Sequence, residues 1–487
     1  MSTEVRALEP KELWNNFADL NAVPRPSKKE EKVVAFILQF GKSLGLETTQ
    51  DEAGNVLIKK PASAGMENRQ TVLLQSHVDM VHQKNADTDF DFDKQGIDMY
   101  VDGDWVKARG TTLGADNGIG VASLMTVLAS KDMVHPPIEA LFTVDEETGM
   151  TGALGLKGGL LNATIMLNLD TEEDHELTIG CAGGIDVTAT GTYKQTTVPA
   201  DFISYKLTVK GLTGGHSGMD IYLGRANSNK LLNRLLLLAS EQFNIGIGQF
   251  DGGSLRNAIP REASAVIALS KTESQALETF IQEQEQVLKT EYATTDPSLT
   301  IQLEQVAIPE KVADAAFQHT FLRALYACPN GIYRMSPEIE HLVQTSNNVA
   351  RVLLKDGEYQ VLCLTRSSVD TEKMDMATAI KSALELAGAS VEFSGSYPGW
   401  TPRPGATIVK LMSELYEEKF NDVPHVNACH AGLECGIIGA NYPEMEMISF
   451  GPNIRGAHSP DEKAQISSVQ KYWDFFTETL KRIPPRQ

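Results

Sequence analysis

Two histidines and a set of carboxylates, each close to an apolar run, are the residues of this sequence suited to bond-breaking chemistry. His77 and Asp79 stand two apart in QSHVDM, so at a strand end both point to one face. A neutral imidazole ligates zinc well, and a neighbouring carboxylate can take its other N–H and fix the tautomer. An ordinary His–Asp hydrogen bond is the plain alternative. Asp116 lies in GTTLGADNGIGVA, a glycine-rich loop entering a helix. There it fits either a helix cap or a carboxylate that places one oxygen on each of two metals. No Gly-Lys-Ser/Thr follows, so this is not a phosphate loop.

Glu146 and Glu147, in DEETG, are adjacent carboxylates that repel and diverge. One can bind metal while the other faces a water acidified by that metal and takes its proton. The alternative is a solvated acidic turn. Asp170 ends IMLNLD and suits a terminal ligand or a cap, and His458 in GAHSPDE offers a matching nitrogen on a second metal. Each motif alone is weak; their weight comes from the set. His82, His135, His175, His319, His341 and His425 have no supporting motif and read as solvated or satisfied. H-E-x-x-H and G-x-S-x-G are absent, which excludes a zincin and a serine elbow.

These residues need a scaffold that gathers them. TVLLQS (71–76), IEALFTV (138–144), ATIMLNL (163–169) and EMEMISFGP (444–452) read as strands, and each runs toward one of the clusters. With helices predicted at 30–46 and 118–130, the alternation implies an α/β domain with a largely parallel sheet. Carboxyl ends of parallel strands share one edge, where ligands bind. From about 186 the texture changes to strand–helix–strand sets (203–270 and 347–399), and α/β character returns near 400. The expected division is residues 1–186 with 400–487 as one discontinuous domain. Residues 187–399 form an inserted α+β domain, with a hint of two related modules.

The chain has 487 residues, with 43 basic against 64 acidic side chains and a net charge of -21. That length favours two domains. The charge argues against nucleic acid or anionic membrane as a partner. The longest apolar runs are too short to span a bilayer. MSTEVRALEPKELWNNF lacks a signal-peptide pattern, and five scattered cysteines fit no zinc-finger spacing. A cytoplasmic protein is expected.

SHVDM, GADNG, DEETG, LNLD and GAHSPDE, in this order, together with GLTGGHSG (211–218) and LRNAIP (255–260), resemble the motifs of the co-catalytic zinc peptidase family that includes carnosinases and bacterial dipeptidases. The resemblance covers essentially the whole chain. It implies a zinc-exopeptidase-like catalytic domain with an inserted lid and two divalent metal ions, Zn2+ with Co2+ or Mn2+ as alternatives. His77 and Asp170 would bind one ion, Glu147 and His458 the other, and Asp116 would bridge them. Asp79 would orient His77, and Glu146 would be the general base acting on a bridging water. His216 would donate to the oxyanion, Asn257 and Arg366 would bind the substrate's backbone or carboxylate, and Glu434 would lie near its amino group. His430, four residues before Glu434 on a possible helix, reads as a pocket or structural residue. The implied reaction is hydrolysis of dipeptides, Xaa-His and carnosine-like ones included, by a protein expected to be a homodimer. Alternatives are an aminotripeptidase, an N-acyl amino-acid deacylase, or a catalytically silent binding protein.

Overall fold

Buried apolar runs with no polar alternation belong to strands covered on both faces, and three such runs sit side by side. Val72–His77 and Ile138–Thr143 are buried at every position, as is Ile165–Asn168. The computed structural model, which describes residues 3–486, pairs Val72–His77 in parallel with both of the others, and Ile165–Asn168 in parallel with Glu446–Ser449. The expected α/β sheet is therefore present, with four parallel strands at its centre. Its full order is Glu47–Gln50, Val56–Lys60, Ile138–Thr143, Val72–His77, Ile165–Asn168, Glu446–Ser449, Glu176–Cys181, His425–Cys429. The flanking strands Val56–Lys60 and Glu176–Cys181 join it antiparallel, so the sheet is mixed.

This sheet belongs to a unit made of the residues up to Gly180, Pro402–Ala428 and Leu433 onward. Helix Ala115–Ala129 is buried on nearly all sides, as an all-round apolar helix must be. The last helix, Ile466–Arg482, buries Ile466, Val469, Tyr472, Phe475, Phe476 and Leu480 at helical spacing. A small antiparallel sheet, ordered Ile454–Arg455, Lys463–Gln465, Trp105–Ala108, Met99–Asp102, escapes sequence reading because its strands are short and partly charged. It fixes the hairpin whose loop contains His458.

A second unit comprises Cys181–Thr401 and Cys429–Gly432. Its main strands and helices form two β-α-β-β-α-β runs. One is Phe202–Lys210, Ser228–Gln242, Gly246–Gly253, Ala263–Ser270, Ser274–Glu291, Thr300–Val306; the other is Gly183–Thr192, Ala315–Ala327, Val343–Lys355, Glu358–Ser367, Asp370–Glu385, Ser390–Tyr397. Within each, the sheet runs fourth, first, third, second strand, and the two second strands pair antiparallel into one continuous sheet. The first run lies inside the second, after its opening strand. One apolar core, including Leu232, Leu236, Phe250, Phe321, Val361 and Ile380, packs this unit.

Candidate metal centre

Five predicted ligands come together: His77, Glu147 and Asp170 at the carboxyl ends of parallel strands, Asp116 at the start of helix Ala115–Ala129, and His458 in the hairpin loop. His77 ends the Val72–His77 strand, and its Nε2 lies 3.1 Å from Asp116 Oδ1 and 3.4 Å from Asp170 Oδ1. His458 Nε2 lies 3.2 Å from the other Asp116 oxygen, Oδ2, and 3.0 Å from Glu147 Oε2. Ligand-type atoms of His77, Asp116 and Asp170 lie within 4.8 Å of one another, and so do those of Asp116, Glu147 and His458. Asp116 is shared, one oxygen to each group. Glu146 also falls within that distance of His77 and Glu147.

Asp79 does two jobs. Its Oδ1 is 3.3 Å from His77 Nδ1, with the Asp79 backbone carbonyl at 3.2 Å, so Nδ1 faces acceptors and Nε2 faces the cluster. The same carboxylate accepts the backbone N–H groups of Glu146 at 3.1 Å and Glu147 at 3.3 Å. It thus ties the two glutamates to the histidine strand. His458 and Asp145 hold positive φ, 63° and 56°. Non-glycine residues seldom adopt that conformation, and such strain concentrates at functional sites.

The electrostatics are those of a cation site. Hydrogen bonds from the His458 ring to Asp116 and Glu147 raise the pKa of His458 to about 11. Burial alone would lower that of His77, but Asp170, Asp116 and Asp79 overcome it and hold it well up. Burial raises the Glu146 carboxyl well above its ordinary value, opposed by His77 and reinforced by Asp170, Glu434 and Glu147. Glu147 Oε1 is buried without a hydrogen-bond partner. Two imidazoles and three carboxylates, crowded and short of positive charge, make a mixed N/O donor set that fits two divalent cations.

Residues 73–482 match the sequence model of peptidase family M20/M25/M40. The chain belongs to this family. It is 46% identical over 484 residues, 99% of this chain and 100% of the other, to the cytosol non-specific dipeptidase of Escherichia coli (strain K12). The structure of aminoacylhistidine dipeptidase from Vibrio alginolyticus superposes with a TM-score of 0.94 at 46% identity, covering 100% of this chain and 99% of that one. An aminopeptidase from Bacillus cereus, at 16% identity and a TM-score of 0.57 over 98% and 99% of the two chains, shares the fold.

This M20/M25/M40 peptidase also carries supporting residues that sequence reasoning missed. Asn117 donates to the Leu169 carbonyl at 2.7 Å and to Asp170 Oδ1 at 2.5 Å, so it joins the Asp116 loop to Asp170. Glu172 lies near enough to Asp116 and Asp170 that burial, with their charges, lifts its pKa to about 8. Arg25 and Glu462, both buried, hold loop backbone around the cluster. Asn117 and Glu462 stand inside quoted motifs and Glu172 two residues past one, a usable signal. Arg25 had none.

Glu434 is fully buried at the start of helix Glu434–Asn441 and accepts hydrogen bonds from Gln75 and Thr143, each at 2.6 Å; its Oε1 is unpartnered. His430 precedes that helix, so the expected helical spacing of the two is not realised. The backbone there is tied down instead, with Cys429 and Ala431 carbonyls both accepting from Ala182 N–H.

In the second unit, His216 stands in a two-residue strand paired with Ala258–Ile259, next to Asn257. Its Nδ1 accepts the backbone N–H groups of Gly218 (3.2 Å) and Met219 (3.0 Å), which leaves the proton on Nε2 as a donor. Asn257 is exposed, and its carbonyl accepts from Ser217 N–H at 2.8 Å. Arg366 is buried, bonds the Tyr397 hydroxyl at 2.9 Å and has an unpartnered Nε. A Cβ on Gly218 would stand 2.2 Å from the His430 carbonyl, 3.1 Å from His216 Cε1 and 3.2 Å from Arg366 Nε. Two functional candidates, His216 and Arg366, thus meet the His430 backbone around a residue that must be glycine.

Proposed function

We propose that this chain is a dipeptidase using two divalent cations, with the first unit catalytic and the second a lid. The observation that carries the reading is the division of Asp116: one oxygen faces His77 and Asp170, the other His458 and Glu147. We assign those five residues as ligands, His77 and Asp170 to one ion, Glu147 and His458 to the other, with Asp116 common to both. Zinc suits this donor set best, cobalt and manganese being the alternatives. When bound, the cations supply Lewis acidity toward the scissile carbonyl and the attacking water.

The chain's residues do the rest. Asp79 fixes the His77 ring so that Nε2 faces inward. Glu146 takes a proton from the attacking water as its oxygen bonds to the carbonyl carbon. It returns that proton to the amine nitrogen as the C–N bond breaks. Burial raises the pKa of this carboxyl, which favours its holding the proton between the two steps. His216 Nε2–H suits an oxyanion, and Arg366, with Asn257, suits the substrate's carboxylate and backbone. Glu434 is assigned to the substrate's amino end.

Substrates of Xaa-His type, carnosine included, are favoured by the full-length likeness to the aminoacylhistidine dipeptidase and cytosol non-specific dipeptidase. Likeness to tripeptidases is confined to the fold. A cytoplasmic location is supported by the cytosolic relative; among the described residues no helix is long and apolar enough to cross a membrane. A homodimer is part of the proposal, and light scattering tests it. The deciding experiment measures metal content and hydrolysis of dipeptides, tripeptides and N-acyl amino acids on one preparation. Two ions per chain with preference for dipeptides is expected. Preference for either other class, or activity untouched by metal removal, would overturn the reading.

A further inference from the structure

Glu462 lies four residues beyond His458, in the loop of the hairpin formed by Ile454–Arg455 and Lys463–Gln465. Its side chain is 2% exposed, yet no cation forms an ion pair with it within 4 Å among the described residues. Instead its two oxygens accept four consecutive backbone N–H groups. Oε2 takes Leu113 at 2.7 Å and Gly114 at 2.8 Å; Oε1 takes Ala115 at 2.7 Å and Asp116 at 3.1 Å.

Arg25 holds the same loop from its carbonyl side. Its NH2 group donates to Gly114 O at 2.5 Å and Asn21 Oδ1 at 2.9 Å, and its NH1 group donates to the carbonyls of Val78 and Asp79, each at 3.1 Å. Gly114 is gripped on both sides, at φ 69°, and a Cβ there would sit 2.5 Å from the Arg25 guanidinium. The loops bearing His77, Asp79, Asp116 and His458 are thereby held by one buried anion and one buried cation. Neither is among the residues whose donor atoms converge.

We infer that Glu462 and Arg25 are positioning residues that set the Asp116 carboxylate against both histidines before any cation binds. Glu462 makes the stronger case, because it links the hairpin of His458 to the backbone of Asp116 itself. Partners that orient ligands in this way govern affinity by roughly 10–100-fold. Since Glu462 touches the His458 and Asp116 segments and not Asp170, its loss falls more heavily on the group formed by Asp116, Glu147 and His458.

This inference rests on the dipeptidase reading, and one titration separates the two. Apo protein, wild type and Glu462→Gln, is titrated with Co2+ against a chromophoric chelator, and the visible spectrum is recorded at each step. Glutamine keeps the size but turns an oxygen that accepts two N–H groups into an NH2 that faces them. The expected result is two binding steps in the wild type. In the variant one step is weakened by roughly 10–100-fold, the other stays within a few-fold, and the d–d spectrum changes. At saturating metal, kcat for a dipeptide falls while KM holds. Two wild-type affinities and an unchanged spectrum in Glu462→Gln would overturn the inference. If that variant does not fold, Arg25→Lys, which keeps the charge but cannot span four acceptors, is read by the same criterion. Failure of the wild type to take up cations would overturn the dipeptidase reading and this inference with it.

Discussion

Glu146 and Glu147 are neighbours in sequence whose backbone N–H groups share one acceptor, Asp79, yet only Glu147 contacts His458. Glu146→Gln removes the proposed proton carrier and none of the five proposed ligands. A fall in kcat of roughly 10²–10⁴-fold, with metal content unchanged by atomic emission, is the expected outcome. His430 gives a prediction of a different type. Burial first, then the positive charge of Arg366, lowers its pKa to about 3, and Ser346 Oγ sits 2.7 Å from its Nε2. A depressed histidine pKa means the unfolded chain protonates first as pH falls. His430 therefore contributes stability above pH ~6.5 and loses it between there and about 3, at up to about 1.4 kcal/mol per pH unit. Urea midpoints measured from pH 7 to 4 fall more steeply for wild type than for His430→Gln. At this scale the sequence was legible wherever a chemical residue type sat in a motif, as with His77 or Glu146. Arg25 was not, because a buried arginine and a surface one look alike until the backbone carbonyls that surround it are known.

Whole elements were read where burial is two-sided. Val72–His77 and Ile138–Thr143 announce themselves as unbroken apolar runs, and the structure starts and ends them within a residue or two of expectation. The hairpin that presents His458 was invisible, since its strands are two and three residues long and contain Arg455 and Lys463. Helices Ser274–Glu291 and Ala315–Ala327 also went unread, their apolar faces broken by polar residues until the core they cover is seen. The turn Gly215–Met219 is the element most exposed to a small change. Gly218→Ala drives a methyl against the His430 carbonyl and crowds His216 and Arg366. A roughly 10–100-fold loss of kcat/KM is expected from displacement on the ångström scale, with cation stoichiometry and far-ultraviolet circular dichroism unchanged. Full activity in that variant would remove these side chains from substrate binding.

At the scale of the molecule, the proposed ligands all belong to the first unit, whereas the second has its own core and its own continuous sheet. A ligand that binds only the native state stabilises what it binds. Chelation should therefore speed amide exchange around 113–117, 144–150 and 454–462 and leave the Leu232–Phe250 and Val361–Ile380 core little changed, as peptide-resolved hydrogen exchange would record. Equal loosening of both units would place metal in both.

The strand Glu446–Ser449 pairs in parallel with Ile165–Asn168, so two neighbours in the central sheet are separated by the whole of the second unit. On the ribosome this has a consequence for order. Residues 181–401 emerge and can close their own sheet while the first unit still lacks an interior strand, His458 and Glu462. The nascent chain then carries His77, Asp116, Glu147 and Asp170 as an unfinished acidic cluster. On the proposed two-cation reading, selection of the cation would wait until translation has passed residue 462.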